Sequence, residues 1–233
     1  LGSIALLLTT YFFTAQITKN RFAGVISLLV LLQSYTFLKF DSFAMYENFW
    51  VLFYLLSLYL ILKNFYLSSV SYALSILTKA FTAIFLPLSI VFVYFSNLKT
   101  RTKFYILISY AIMFGVVIAI WSLDSSVYDN IIRFDLKQLL VALTKTSYQI
   151  RFDLFVLVSI LPLTIALMLK AKNGFHMASS ILFLITGSIF AGAIVEMLSD
   201  HFVILPYRFI PTIVFFAVGV GLLFNNQRGV SND

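Results

Sequence analysis

The chain has 233 residues, of which 61% are hydrophobic and only 11% charged, and its mean hydropathy is +1.00. Soluble domains run at about 45–50% apolar and about 25% charged, so the composition excludes a cytosolic enzyme, a disordered chain and a soluble nucleic-acid binder. Sixteen Lys and Arg against nine Asp and Glu leave +7, and the absence of Cys excludes a disulfide framework, a thiolate zinc site and a thiol nucleophile.

A transmembrane helix takes about 17–25 apolar residues. Apolar runs lie near residues 2–18, 22–38, 46–62, 66–79, 80–96, 104–122, 152–169, 175–198 and 208–224. The first run starts at Leu1 with no basic stretch before it and no small-residue cleavage site, so it does not read as a signal peptide. The natural protein is expected to extend further at its N-terminus or to be processed there. The stretch 66–96 is too long for one span and is interrupted by Thr78-Lys79, with Pro87 beyond. It reads as two short helices meeting at Lys79, the first of which need not cross fully. The long connection from Leu123 to Arg151 carries Ile132, Leu136, Leu139, Leu140 and Leu143 at helical spacing. That pattern predicts an amphipathic helix near 129–143, lying flat on the outer leaflet. It would roof a lipid-facing cavity or seal the bundle edge. The runs lack strand alternation, and lipid admits only helices or closed barrels. The fold expected is an all-α polytopic transmembrane bundle, one domain over 1–233, with about eight or nine spans including the broken pair at Lys79.

Alternate connections separate the charges. One side holds Lys19, Arg21, Lys63, Lys99, Arg101, Lys103, Lys170, Lys172 and Arg228, with Asp233 as its one acid. The other holds Asp41, Glu47, Asp124, Asp129, Asp135, Asp153, Glu196 and Asp200 beside seven basic residues. Lys and Arg accumulate in cytoplasmic connections, so the first side is read as cytoplasmic and residue 1 as outside.

Chemistry is therefore sought on the outer side. Asp41 and Glu47, with Tyr46 and Asn48, sit at the mouth of the third run. Two carboxylates there can orient a sugar hydroxyl, act as base or bind a divalent cation. The competing reading is that Asp41 or Ser42 caps a helix N-terminus. Lys79 interrupts an apolar run; a charge at membrane depth costs about 2.5–3.5 kcal/mol on insertion scales. A lipid phosphate is an apt partner, and snorkelling to the interface is the alternative. Arg208, between Pro206 and Pro211, enters the last span at headgroup depth, as a phosphate ligand or an interfacial anchor. Asp200, His201 and Tyr207 flank it. Glu196, Asp200 and His201 are close enough in sequence to suggest a metal site, but pairing of Glu196 and Asp200 with Arg208 or another outer cation is the stronger reading. His176 is read as interfacial. No P-loop, H-E-x-x-H, G-x-S-x-G or nucleotide-binding glycine fingerprint occurs, which speaks against ATP-driven transport by this chain alone.

The order of these features resembles that of the polytopic GT-C glycosyltransferases, among them the dolichyl-phosphate-mannose protein mannosyltransferases and the bacterial enzymes that add aminoarabinose to lipid A. The matching segments are Asp41 to Leu62 with its Met45-Tyr46-Glu47, Ser75-Ile-Leu-Thr-Lys79 through Pro87, and Pro206-Tyr-Arg-Phe-Ile-Pro211. The resemblance runs through residues 1–96 and again at 200–224. The resemblance implies an inverting transfer of a sugar from a polyprenyl-phosphate carrier to a lipid, glycan or protein acceptor on the outer or lumenal face. It implies Asp41 and Glu47 as supporting acids, Lys79 and Arg208 as carrier-phosphate ligands, and acceptor or sugar contacts from Tyr46, Asn48, Asp200, His201 and Tyr207. It places the family's main catalytic Asp in a loop upstream of residue 1. No cofactor is implied with certainty, and a divalent cation stays open. The location implied is the cytoplasmic membrane, or the endoplasmic reticulum in a eukaryote, with no nucleic-acid partner. A transporter or lipid flippase, and a non-catalytic membrane subunit, are the alternatives; the placing of charges at span ends rather than midplane counts against the transporter.

Overall fold

A hydroxyl or backbone amide that meets no water must find its partner inside the chain. The first helix does so with threonines four residues apart. In α1 (Gly2–Thr18), Thr10, Thr14 and Thr18 donate to the carbonyls of Leu6, Thr10 and Thr14 at 2.8, 2.9 and 2.7 Å. The computed structural model describes residues 2–42, 47–122, 136–149, 151, 153–198 and 204–225, with the backbone alone at 41, 42, 47, 136 and 149. Among the described residues the regular structure is all helical, with no strands.

Asn20 accepts from the Phe22 amide at 2.9 Å and so starts α2 (Arg21–Gln33). Next come α3 (Tyr35–Ser42), α4 (Glu47–Ile61) and α5 (Phe65–Thr78). A 3-10 turn over Ala80–Phe85 leads into α6 (Leu86–Phe95). Then follow α7 (Thr100–Ser122), α8 (Leu136–Gln149), α9 (Leu154–Lys172) and α10 (His176–Leu198). A second 3-10 turn, Pro206–Phe209, opens α11 (Ile210–Leu223).

Among the described residues, four helical stretches are long and apolar enough to cross a membrane: Thr100–Ser122, Leu154–Lys172, His176–Leu198 and Pro206–Leu223. Gly2–Thr18, Arg21–Gln33, Asn48–Ile61, Phe65–Thr78 and Ala80–Phe95 are apolar but shorter. The expected run 22–38 is interrupted at Ser34, whose extended backbone ends α2. The break expected at Lys79 is present, as a residue with extended backbone between α5 and the 3-10 turn. The amphipathic helix expected near 129–143 is found over Leu136–Gln149; residues 129–135 fall outside the described residues.

Helix α11 is the centre of the packing. Of its membrane-length window 72% is buried, against 17% for the windows of α7 and α9. α1, α2, α4, α9 and α10 all pack on it. Gly221 lets α1 and α2 come close: a Cβ there would stand 2.5 Å from the Thr14 methyl and 2.8 Å from the Ala23 carbonyl oxygen. Small residues serve this purpose where helices meet in lipid.

The ends of the helices are brought together in two groups. At one end, the Asn20 amide donates to the Phe224 carbonyl at 3.0 Å, and Lys170 donates to the carbonyls of Leu222 and Leu223 at 2.8 Å each. Lys103 donates to the Tyr94 carbonyl at 2.6 Å. We call this the basic end. At the other, the mixed end, Asn48 of α4 donates to Ser3 of α1 at 3.0 Å, and Ser34 and Thr36 donate to Asp153.

Candidate functional site

The site begins with a break in the helix. Between Lys79 and Phe85 the backbone departs from the α-helix. Side-chain hydroxyls add their own bonds to carbonyls in this stretch. Thr82 donates to the Ser75 carbonyl at 3.2 Å. Tyr72 donates to the carbonyls of Thr82 and Ala83 at 3.1 and 3.2 Å. Tyr54 donates to the Phe85 carbonyl at 3.3 Å. Both tyrosines are fully buried. Irregular backbone at membrane depth persists only where protein satisfies it in this way.

This local order fixes Lys79. Its amide closes the last turn of α5 on the Ser75 carbonyl at 3.0 Å. Its ammonium lies 5.9 Å from the centre of the Trp50 ring and 5.6 Å from that of Tyr207. Trp50, in α4, is fully buried and meets Phe81 and Phe85 edge-on at 5.6 and 5.7 Å. Cations placed so are attracted by the negative face of the ring.

Tyr207 and Arg208 come from the 3-10 turn at the head of α11. Pro206 opens that turn and Pro211 sits at the start of α11, where a missing N–H costs nothing. The Arg208 guanidinium is 5.7 Å from the centre of its neighbour's ring, Tyr207. Lys79 and Arg208 therefore share one ring and stand within about 11 Å of each other. Phe40, in α3, meets the same Tyr207 ring edge-on at 5.6 Å. Lys39 lies 5.9 Å from the Phe40 ring centre. Lys79, Tyr207 and Arg208 are all partly exposed.

Of the residues singled out by sequence, Lys79, Arg208 and Tyr207 thus come together. Asp41 falls in the last turn of α3 and Glu47 begins α4. Capping of a helix N-terminus by Asp41 or Ser42 is accordingly corrected: both lie at the C-terminal end of α3, where the dipole disfavours an acid. The side chains of Asp41 and Glu47, and all of Tyr46, Asp200 and His201, lie outside the described residues. Asn48 is buried, with its amide on Ser3.

Glu196 is buried and pairs with Lys145 of α8. A cation was expected there, and α8 supplies it. α8 also packs Ala142 against Ala193, Ile204 and Phe209, which sets it beside the turn that carries Arg208. Among the described residues, no group of three His, Cys, Asp or Glu side chains is placed to hold a metal ion.

Asp153 was counted in the sequence only as one of several acids. It is 6% exposed. It caps α9 through the Val156 amide at 3.2 Å and accepts from the Ser34 hydroxyl and, at 3.5 Å, from the Thr36 amide. Its partners Ser34 and Thr36 lie far from it in sequence, at the break after α2 and in the first turn of α3.

Two polar cations gathered on an aromatic floor, half-open to the surroundings, can hold an anion: Lys as a point charge, Arg through a planar fork of donors. No family model, curated protein or solved structure matches the chain.

Proposed function

We propose that this chain is a polytopic membrane glycosyltransferase of GT-C type, or part of one, that takes a sugar from a polyprenyl-phosphate carrier at its outer or lumenal face. The observation that carries the reading is the meeting of Lys79 and Arg208, distant in sequence, on the ring of Tyr207. Lys79 and Arg208 belong to separate motifs of the sequence.

In this reading the shorter apolar helices cross as well, with α2 and α3 acting together through the Ser34 break, which gives the eight or nine spans. The basic end faces the cytoplasm, in the bacterial membrane or the endoplasmic reticulum, because Lys and Arg accumulate there. The mixed end then lies at headgroup depth on the opposite side, where a lipid phosphate resides. Lys79 and Arg208 neutralise the phosphate as it leaves the sugar, the kind of preplaced charge that lowers a transfer barrier. Asp41 and Glu47 orient the acceptor or sugar hydroxyls from the end of α3 and the start of α4. Tyr46, Asn48, Asp200, His201 and Tyr207 border the sugar and acceptor. The acceptor hydroxyl needs a general base within hydrogen-bond reach.

The test uses the purified chain in lipid nanodiscs and compares a polyprenyl phosphate with the matching uncharged polyprenol. The phosphate is expected to bind at least about a hundredfold more tightly, the worth of two charge-assisted contacts of roughly 1.4 kcal/mol each. Equal affinity for the two would end the phosphate-clamp reading. Phosphate preference together with carrier movement across the bilayer, and no sugar transfer when the full gene product is supplied with a lipid-linked sugar, would replace transferase by transporter.

A further inference from the structure

A single carboxylate joins three helices beside the clamp. Asp153 Oδ1 accepts from the Val156 amide at 3.2 Å and so caps α9. Its Oδ2 accepts from the Ser34 hydroxyl and from the Thr36 amide at 3.5 Å. The Ser34 oxygen in turn accepts from the Phe37 amide at 3.0 Å. The orphan amides of two helix N-termini, those of α9 and α3, therefore end on one buried acid, directly and through Ser34. Each terminus also offers its positive dipole end to that charge.

The consequence lies one and a half turns further along α3. Its N-terminus is held at Asp153, and Phe40 near its other end rests edge-on against Tyr207. Asp153 and Thr36 line a small cavity together with Pro206, Phe209 and Thr212. Pro206 and Phe209 bracket Tyr207 and Arg208 in the 3-10 turn. Asp153 thus borders one cavity with both segments that meet at the Tyr207 ring. Its oxygens are occupied by protein donors, which suits an anchor and not a base.

We propose that Asp153 is the positioning residue of the anion clamp: it sets the break at Ser34 and the height of α3, and through Phe40 it sets the Tyr207 ring on which Lys79 and Arg208 meet. The inference rests on the proposed function for its ligand, and its first readout needs no ligand. The chain has two tryptophans, so Trp121→Phe leaves Trp50, which lies under Lys79, as the reporter. In that background Asp153→Ala is expected to shift the Trp50 emission and to weaken binding of polyprenyl phosphate about tenfold. Asp153→Asn keeps one carbonyl oxygen for the α9 cap but puts an amide NH2 where Oδ2 accepts from Ser34 and Thr36, so it should recover stability while both readouts stay shifted. Ser34→Ala leaves the cap of α9 intact, should move both readouts in the same direction by less, and serves if Asp153→Ala does not fold. Asp153→Ala with a lowered melting temperature but unchanged Trp50 emission would reduce the residue to a helix cap and overturn the proposal. If the parent protein fails to bind polyprenyl phosphate while Asp153→Ala still shifts Trp50, the positioning role stands and the functional reading falls.

Discussion

The two ends of the bundle use cations differently. At the basic end they close helices. Lys170 reaches the last carbonyls of α11, and Lys103 reaches the Tyr94 carbonyl at the end of α6. Those are the positions where a helix presents bare carbonyls and the negative end of its dipole. At the mixed end Lys79 lies over two rings, Trp50 from α4 and Tyr207 from the turn before α11. A cation on a carbonyl completes a helix it adjoins. A cation between rings of distant elements depends on how the whole bundle is assembled. The same residue type is thus an architectural part at one end and a candidate ligand group at the other.

The comparison can be broken by substitution, beginning with the largest effect. Trp50→Ala removes the buried floor under Lys79 and opens a cavity beside Phe81 and Phe85. A loss of about 3–5 kcal/mol is expected for such truncations, read by unfolding in detergent. At the basic end Gly221→Ala forces a methyl against the Ala23 carbonyl, so α1, α2 and α11 must separate. About 1–3 kcal/mol is expected from overpacking, and no change in anion binding beyond that of folded fraction. Lys145→Ala leaves the buried Glu196 carboxylate without its partner. Because half of the Lys145 side chain is exposed, the expected loss is about 1 kcal/mol, below the figure for fully buried pairs. It should appear as faster hydrogen exchange in α8, since that helix sits on a small separate apolar cluster. Glu196→Gln should recover much of it. The smallest stability effect is expected at Lys79→Met, about 0.5–1 kcal/mol from the ring contacts, and the melting temperature should scarcely move.

How far the sequence reveals the structure depends on where the determining partner lies. The break at Lys79 is legible because a cation stands inside an apolar run, and the cost of that placement is local. The apolar runs 66–79 and 175–198 likewise lie close to α5 and α10 as found. The break at Ser34 is not legible. Gln33-Ser34 carries neither Gly nor Pro, and the acid that stabilises the bend lies 119 residues further on. Asp153 is obscure from the other direction, since in sequence it is simply an acid before an apolar run. The residues of the candidate clamp were legible singly, as cations where cations are scarce. Their meeting was not, because nothing in the sequence brings Tyr207 within reach of Lys79 until α3, α5 and α11 are placed around it. The hydroxyls of Tyr54 and Tyr72 are hidden for a similar reason: thirteen tyrosines in so apolar a chain give no hint which two answer the carbonyls of a break.

One titration bears most directly on the account. Polyprenyl phosphate is added to the protein in nanodiscs, in three forms: unaltered, Lys79→Met with Arg208→Met, and Lys103→Met with Lys170→Met. Both doubles remove two positive charges, so a diffuse charge effect would weaken them equally. The account predicts that the double at Lys79 and Arg208 loses affinity about a hundredfold, two contacts of roughly 1.4 kcal/mol each, at a nearly unchanged melting temperature. The double at Lys103 and Lys170 should melt earlier and bind as the unaltered protein does. Equal loss in both doubles, or loss in the second alone, would contradict the division of labour between the two ends and with it the clamp.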